Sequence, residues 1–395
     1  IIAYLVFFIL LGTIPRLRKE KVLYLISCAS VLLSTLGVEW LFKATEQYSY
    51  ITIRSLIFKL IGLVSMFLLV HTESDYQIYA AITVFASYGS ALMNLTQLPK
   101  YIDLKPMGGY NLRQHLKPVL ILFAYTCATT VYSNLASVML GFMTTDADVG
   151  YYGVSIKLKN ILVSIVTALG AVLLPRVSYY YKKGQMDAFW KTIQKSMHVV
   201  ILMAAPMALY CMIVAAPAIR FLAGDGYAAS VIPMIWIMPS LLFIGATYVI
   251  GIEVLIPSGK ESIVLIASAV AAGIDVIINA LLIPSLKSTG AAIGTLVAEA
   301  VVFIIQFAYM RKEILPIFKK IKLWKTGLAL VIATIPTLLL SGLSLPDFWL
   351  LALTALTFFG CYGLSLLLMK DEMIGLVLKK LSTTLKKKLS KGKAT

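Results

Sequence analysis

Long apolar runs, separated by short polar punctuation, make up almost the whole chain. Twelve such runs lie near 1–14, 22–44, 51–70, 77–97, 117–142, 149–175, 197–219, 229–253, 262–283, 288–310, 322–343 and 347–369. A hydrocarbon core about 30 Å thick needs roughly 20 apolar residues per helix. Inside lipid, backbone N–H and C=O groups must be satisfied within their own segment or in a closed barrel. Runs of this length and continuity therefore predict an all-α polytopic membrane protein with about twelve transmembrane helices present. Pro206, Pro233, Pro239, Gly245 and Gly251 fall inside runs. There they predict kinks, or hinges in a protein that alternates its access.

The punctuation groups the runs. Four helices fill 1–104, and a Gly-containing linker, Lys105-Pro-Met-Gly-Gly-Tyr110, follows. Six helices fill the rest of 105–313, a last pair occupies 314–369, and 370–395 is a basic tail. The chain opens Ile-Ile-Ala-Tyr, with no basic n-region or cleavage site, so a signal peptide is not expected in this stretch. Its first run stops at Pro15, short for a full span. That start predicts an N-terminal lobe lacking its first two helices, and a complete pattern of six, six and two. Secondary transporters commonly pair two repeated bundles around a substrate site. The longest polar connection, 176–195, contains Met186-Asp-Ala-Phe-Trp-Lys-Thr-Ile-Gln-Lys195 and predicts a short amphipathic helix at the interface.

Composition narrows the class. Apolar residues are 60% of the chain and charged residues 13%, about half the charge of a soluble domain. The net charge of +17 is not a nucleic-acid footprint, because 27 of the 35 basic residues fall in one alternate set of connections. By the positive-inside rule that set is cytoplasmic, which places the C-terminus and 176–195 there. The tail Lys379–Lys393 is expected to lie near anionic lipid. Cys28, Cys127, Cys211 and Cys361 sit far apart in apolar runs, so neither a metal site, a disulfide framework nor a cofactor is expected. His71, His115 and His198, read as loop or helix-end residues, have no triad partners, and no phosphate-binding loop occurs. No catalytic residue is predicted.

The chemistry must then rest on the few charges carried into the runs. Each costs about 2.5–3.5 kcal/mol at membrane depth, so each must pair, reach the headgroups or line water. Glu39, Lys43 and Glu46 form one stripe at i, i+4, i+7. Arg54 and Lys59 lie about 140° apart on a helix. Lys59 falls deeper, and Arg54 is expected to reach the headgroups. Lys157 and Lys159 lie about 200° apart, so at most one faces a common cavity. Ser268, Asp275 and Asn279 make a polar stripe, and Thr295, Glu299 and Gln306 make another on the next helix. The two stripes either line a channel or join their helices by hydrogen bonds. Glu253, at the end of its run before Pro257-Ser-Gly-Lys260, is expected at the membrane surface.

Several of these residues stand in an ordered set of short motifs. They are Trp40-Leu-Phe-Lys-Ala-Thr-Glu46 with Ile51-Thr-Ile-Arg54 and Lys59; Met139-Leu-Gly141 with Val149-Gly-Tyr-Tyr152 and Lys157; Pro175-Arg-Val-Ser178; Ile256-Pro-Ser-Gly-Lys260; and Gly290-Ala-Ala-Ile-Gly294 with Glu299. The set resembles the bacterial oligosaccharide-lipid flippases, the exporters of O-antigen and capsule repeat units. These share a superfamily with lipid II flippases and multidrug/toxin exporters. The resemblance covers essentially the whole chain. It implies fourteen helices, as two pseudo-symmetric six-helix lobes and an extra pair, in the bacterial cytoplasmic membrane. It also implies that undecaprenyl-pyrophosphate-linked oligosaccharides are moved outward by alternating access.

On this resemblance Lys157, Lys59, Arg54 and Lys159 would hold pyrophosphate or sugar. Glu39, Glu46, Asp275, Asn279 and Glu299 would line the polar cavity or couple an ion. The implied partners are the lipid-linked oligosaccharide, membrane lipids and other polysaccharide-assembly membrane proteins, with no nucleic acid. Ala136 and Gly37 depart from the family pattern, where many relatives carry acids, and Asp275 stands where Asn is common; an ion-coupling scheme therefore does not carry over directly. The rival readings are a multidrug or cation exporter of the same superfamily, or a lipid II flippase. A glycan polymerase or acyltransferase fits less well, for want of a large extracytoplasmic loop or a His/Asp pair.

Overall fold

A computed structural model describes residues 2–45, 47–102, 116, 123, 134–371, 373 and 375. Among the described residues every regular element is helical. Eight helices among the described residues are long and apolar enough to cross a membrane, or nine when the bent pair Asp225–Ile237 and Ser240–Leu255 counts as one span. Their outer faces present bare apolar side chains, with Phe67 77% and Leu356 76% exposed. Surfaces this apolar belong in lipid rather than water. The chain divides into two compact units, residues 1–115 and 116–395.

The first unit contains α1 (Ile2–Thr13), α2 (Lys21–Leu36), α3 (Tyr48–Leu69) and α4 (Tyr76–Tyr88). Both α2 and α3 pack on α4. The run expected to continue through 22–44 breaks at Val38, whose φ of 39° is rare for a β-branched residue. A short helix, Glu39–Ala44, follows the break. One side chain holds this corner. The Asn94 amide donates to the Gly37 carbonyl, and its oxygen accepts from the Arg54 guanidinium. Arg54 is therefore buried and does not reach the headgroups as expected. After α3 the Asp75 carboxylate accepts from the His71 and Thr72 amides at 3.0 and 2.9 Å. These backbone donors, with the Thr72 hydroxyl, hold its carboxyl below the usual carboxylate range.

The second unit begins with α5 (Asn134–Met143) and α6 (Asp146–Lys182). Thr145 and Asp148 start α6 with a reciprocal capping box. Next comes α7 (Met186–Ile213), after a turn of only three residues in which Gly184 has a φ of 68°. The separate interfacial helix expected over 176–195 is thus absent. Phe189, Ile193 and Met197 recur at i, i+4, i+8, and all are fully buried. They extend the core face of α7 rather than lie on a surface. His198, read as a helix-end residue, is buried within α7 with its Nε2 3.2 Å from Asp371.

Pro239 separates α8 (Val231–Ile237) from α9 (Ser240–Thr247). The run bends there by 47° and continues as a π-helical stretch, Tyr248–Leu255. The long α10 (Glu261–Tyr309) is broken at Lys287, where φ is 50° and ψ −126°. Its two arms, the apolar runs 262–283 and 288–310, fold back antiparallel. Gly290 lies beside the Leu282 backbone, and Gly294 against Asn279 and Asp275. Ala267, Ala271 and Ala298 continue this seam. Small residues let two backbones approach closely where lipid supplies no hydrophobic drive between helices.

The amphipathic α11 (Arg311–Ile321) leads into a final pair, α12 (Leu323–Ser341) and α13 (Asp347–Leu368). Tyrosines dock this pair on α7. The Tyr362 hydroxyl donates to the Leu202 carbonyl at 3.1 Å, and the Tyr210 hydroxyl to Leu351 at 2.9 Å. Lys325 Nζ caps the end of α13 by donating to the Met369 carbonyl at 2.6 Å.

The seam makes one test. Gly294→Ala would drive a methyl into the Asn279 amide, whereas Gly273→Ala on the same long helix meets nothing within 4 Å. Overpacking of this kind costs about 1–3 kcal/mol. Thermal unfolding of the purified protein should show Gly294→Ala clearly destabilised and Gly273→Ala at least as stable as the parent.

Candidate functional site

One stripe of α6 builds the floor of a cavity. Tyr152, Ile156, Lys159, Asn160 and Val163 follow helical spacing and face inward. Opposite them stand Asp275 from the first arm of α10, with Thr295, Ala298 and Glu299 from the second. Ala136 of α5 and Ile244 of α9 close the sides, leaving a volume of about 320 Å³. The hairpin turn at Lys287 is what places Asp275 and Glu299 on the same wall.

The lining is polar where it meets α10. The Tyr152 hydroxyl and Thr295 Oγ1 are hydrogen-bonded at 2.7 Å. Lys159 is 8% exposed, and the carboxylate of Glu299 attracts it across the cavity. Asp275 is also buried, and its Oδ1 meets no donor. One cation thus shares a small cavity with two carboxyls. Buried charge of this kind is tolerated only when paired or neutralised. A group of three His, Cys, Asp or Glu side chains able to hold a metal does not occur among the described residues.

The two polar stripes divide between their alternatives. Asp275, Thr295 and Glu299 line the cavity. Asn279 instead packs on Gly294, and Gln306 on Gly251, where a Cβ would meet its Oε1 at 3.1 Å. Ser268 bonds back to the Val264 carbonyl of its own helix. The lysine pair also separates: Lys159 lines the cavity, whereas Lys157 is exposed and forms no ion pair with a described residue. In the first unit Lys59 is likewise exposed on α3. Arg54 is held by Asn94, with its guanidinium 5.5 Å from the Tyr50 ring centre. Glu39 is exposed. Glu46 lies outside the described residues.

Sequence reasoning missed Glu253. Expected at the membrane surface, it is fully buried in the π-helical stretch. Ser196 of α7 donates to its Oε1 at 2.9 Å. The two residues are 57 apart in the chain, and no local pattern joins them. The nearest available signal was Pro257-Ser-Gly, which ends the helix a turn later and so leaves Glu253 inside it.

Over residues 1–232 the chain matches a family model described as polysaccharide biosynthesis protein. A protein named "Putative O-antigen transporter" from Escherichia coli (strain K12) is 24% identical over 305 residues, 76% of this chain and 72% of its own length. A protein of the same name from Shigella dysenteriae is 27% identical over 168 residues, covering 41% of this chain and 42% of that one. Among solved structures, "Lipid II flippase MurJ, inward closed conformation" has a TM-score of 0.70 at 17% identity. The match covers 89% of this chain and 74% of that one. It is a likeness of fold.

The cavity charges should prove mutually dependent. Lys159 and Glu299 attract each other across the cavity, and interacting neighbours couple by about 0.5–3 kcal/mol. Lys159→Met and Glu299→Gln should each lower thermal stability, and the double variant should recover most of either loss. Additive losses in that double-mutant cycle would mean that the two groups do not interact.

Proposed function

The chain belongs to the polysaccharide biosynthesis protein family, and on that premise we propose that it is a flippase for undecaprenyl-pyrophosphate-linked oligosaccharide repeat units. It is a membrane transport protein rather than an enzyme. In this reading it works by alternating access in the bacterial cytoplasmic membrane. The reading includes two six-helix lobes and an additional pair in a fourteen-helix whole, with the boundaries 1–104, 105–313 and 314–369. The basic tail, 370–395, then lies in the cytoplasm. The side on which basic residues accumulate supports this orientation.

The observation that carries the proposal is the different state of the two lysines on α6. Lys159 is buried in the cavity lining beside Glu299, whose charge acts on it. Lys157 is exposed on an apolar span with no ion pair among the described residues. A pyrophosphate cannot cross hydrocarbon with its charge unmatched, and an unpaired cation at membrane depth is what it needs. Lys59 offers a second such cation. Arg54 joins them only if Asn94 releases it in another conformation. The lipid tail stays in the bilayer, while hydroxyl and amide groups of the polar stripes meet the sugar. Asp275, Glu299 and Asn279, with Glu39 and Glu46 of the first unit, are the groups through which an ion gradient would act. Other polysaccharide-assembly membrane proteins are the partners that such a reaction implies.

A cation exporter is the second reading. Two carboxyls against one lysine in the cavity favour it. The readings separate in a bacterium deleted for its own flippase. The full-length gene should restore surface polysaccharide, and Lys157→Ala should fail to do so at matched protein level, while Lys157→Arg restores much of it. Loss of one charge-assisted contact, about 1.5–3 kcal/mol, corresponds to about a tenfold or larger drop in export. Unchanged export by Lys157→Ala sinks the cationic-site assignment, and drug efflux without polysaccharide display favours the second reading.

A further inference from the structure

Glu253 lies outside the cavity just described and answers to none of its charges. Its side chain is fully buried, and α6, α7 and α10 meet the stretch that carries it. From its own π-helical stretch comes the Tyr248 ring. From α7 comes Ser196, whose hydroxyl donates to Oε1 at 2.9 Å. From α6 comes Gly170, so close that a Cβ there would overlap both the carboxylate and the Tyr248 ring. From the second arm of α10 comes Gln306, which packs on Gly251 in the same stretch. Among the described residues no Lys, Arg or His forms an ion pair with Glu253, and its Oε2 has no hydrogen-bond partner.

An ionised carboxylate is poorly served by this site. Taken out of water, it needs a cation or several donors, and one hydroxyl is neither. A neutral acid is served well, since a single donor to its carbonyl oxygen is a normal complement. The surroundings are also built to change. π-Helical turns are short, wide insertions in α-helices and recur at functional positions. Closing this stretch to α geometry would turn Glu253 away from Ser196 and Gly170. Gly170 and Ser196 stand on two other helices, so such a turn must part contacts among three elements.

We infer that Glu253 is a proton-binding site: in this packing it holds one proton, and that proton exchanges with solvent only when the contact among α6, α7 and the π-helical stretch opens. On opening, the carboxyl gives its proton to water and becomes a carboxylate. On closing it takes one back. Protonation therefore favours the closed packing, and a rise in pH favours the open one. This inference does not rest on the identity of the cargo and stands whichever molecule the protein moves.

Infrared spectroscopy of the full chain in lipid nanodiscs tests it. At neutral pH the parent should show a protonated carboxylic C=O stretch that is wholly lost in Glu253→Gln. Ser196→Ala, which keeps the acid and removes only its donor, should move that stretch to higher frequency. Hydrogen exchange of residues 248–255 should quicken several-fold as pH rises in the parent but stay level in Glu253→Gln. Identical spectra for the parent and Glu253→Gln would overturn the inference. So would an unmoved stretch in Ser196→Ala, which covers the case in which Glu253→Gln does not fold. A stretch that emerges only when sodium is withheld would mean that a metal cation occupies the site, and would overturn it too.

Discussion

Charge taken out of water has to be answered inside the protein, and most of this structure follows from that constraint. The cost of leaving it unanswered is several kcal/mol per group, comparable to the whole stability of a domain. Arg54 is answered by the amide oxygen of Asn94, and the same amide ties down the Gly37 carbonyl at a break in the helix. Lys159 and Glu299 line one cavity and attract each other across it. His198 Nε2 lies 3.2 Å from Asp371, a contact that joins α7 to the end of the last helix pair. Each pairing also joins elements that are remote in sequence, so the polar minority sets the tertiary contacts that the apolar majority leaves open.

Close packing makes these pairings possible. In lipid, helices gain little from burying leucine against leucine, and they associate where backbones can approach. Gly290, Gly294 and the alanines beside them bring the two arms of α10 together. That approach sets Asp275, Thr295 and Glu299 on one wall. Gly170 does the same for Glu253, leaving room for a carboxyl where any side chain would exclude it. The polar sites and the small residues are therefore parts of one arrangement. Enlarging a glycine here disturbs a charge, and moving a charge reopens a helix seam.

Against that background, Lys157 and Lys59 stand out as exposed cations with no ion pair to a described residue. A cation that the fold leaves exposed on an apolar span is available to something outside the fold. The proposed anionic lipid-linked cargo meets that condition, and the family to which the chain belongs gives it a biological setting. Glu253 is the opposite case, a buried acid with no ion pair among the described residues, for which a proton is the natural complement. On these two proposals, cargo and proton act at different residues.

The sequence by itself determined the class of the protein. Run length and the scarcity of charge require membrane helices, because no other backbone arrangement of such segments satisfies its hydrogen bonds in lipid. It also foresaw the break at Pro239, though not the one at Val38, and the rotation between Lys157 and Lys159 allowed at most one of them to face a common cavity. It did not reveal that 176–195 continues two long helices, since Phe189 and Ile193 read equally as the apolar face of a surface helix. Nor did it reveal that Arg54 is spent on Asn94, 40 residues away, or that Glu253 is buried against Ser196. Helical periodicity records which residues share a face of one helix. Which faces meet is decided by backbone approach and by the pairing of buried charge, and these exist only once the helices have packed.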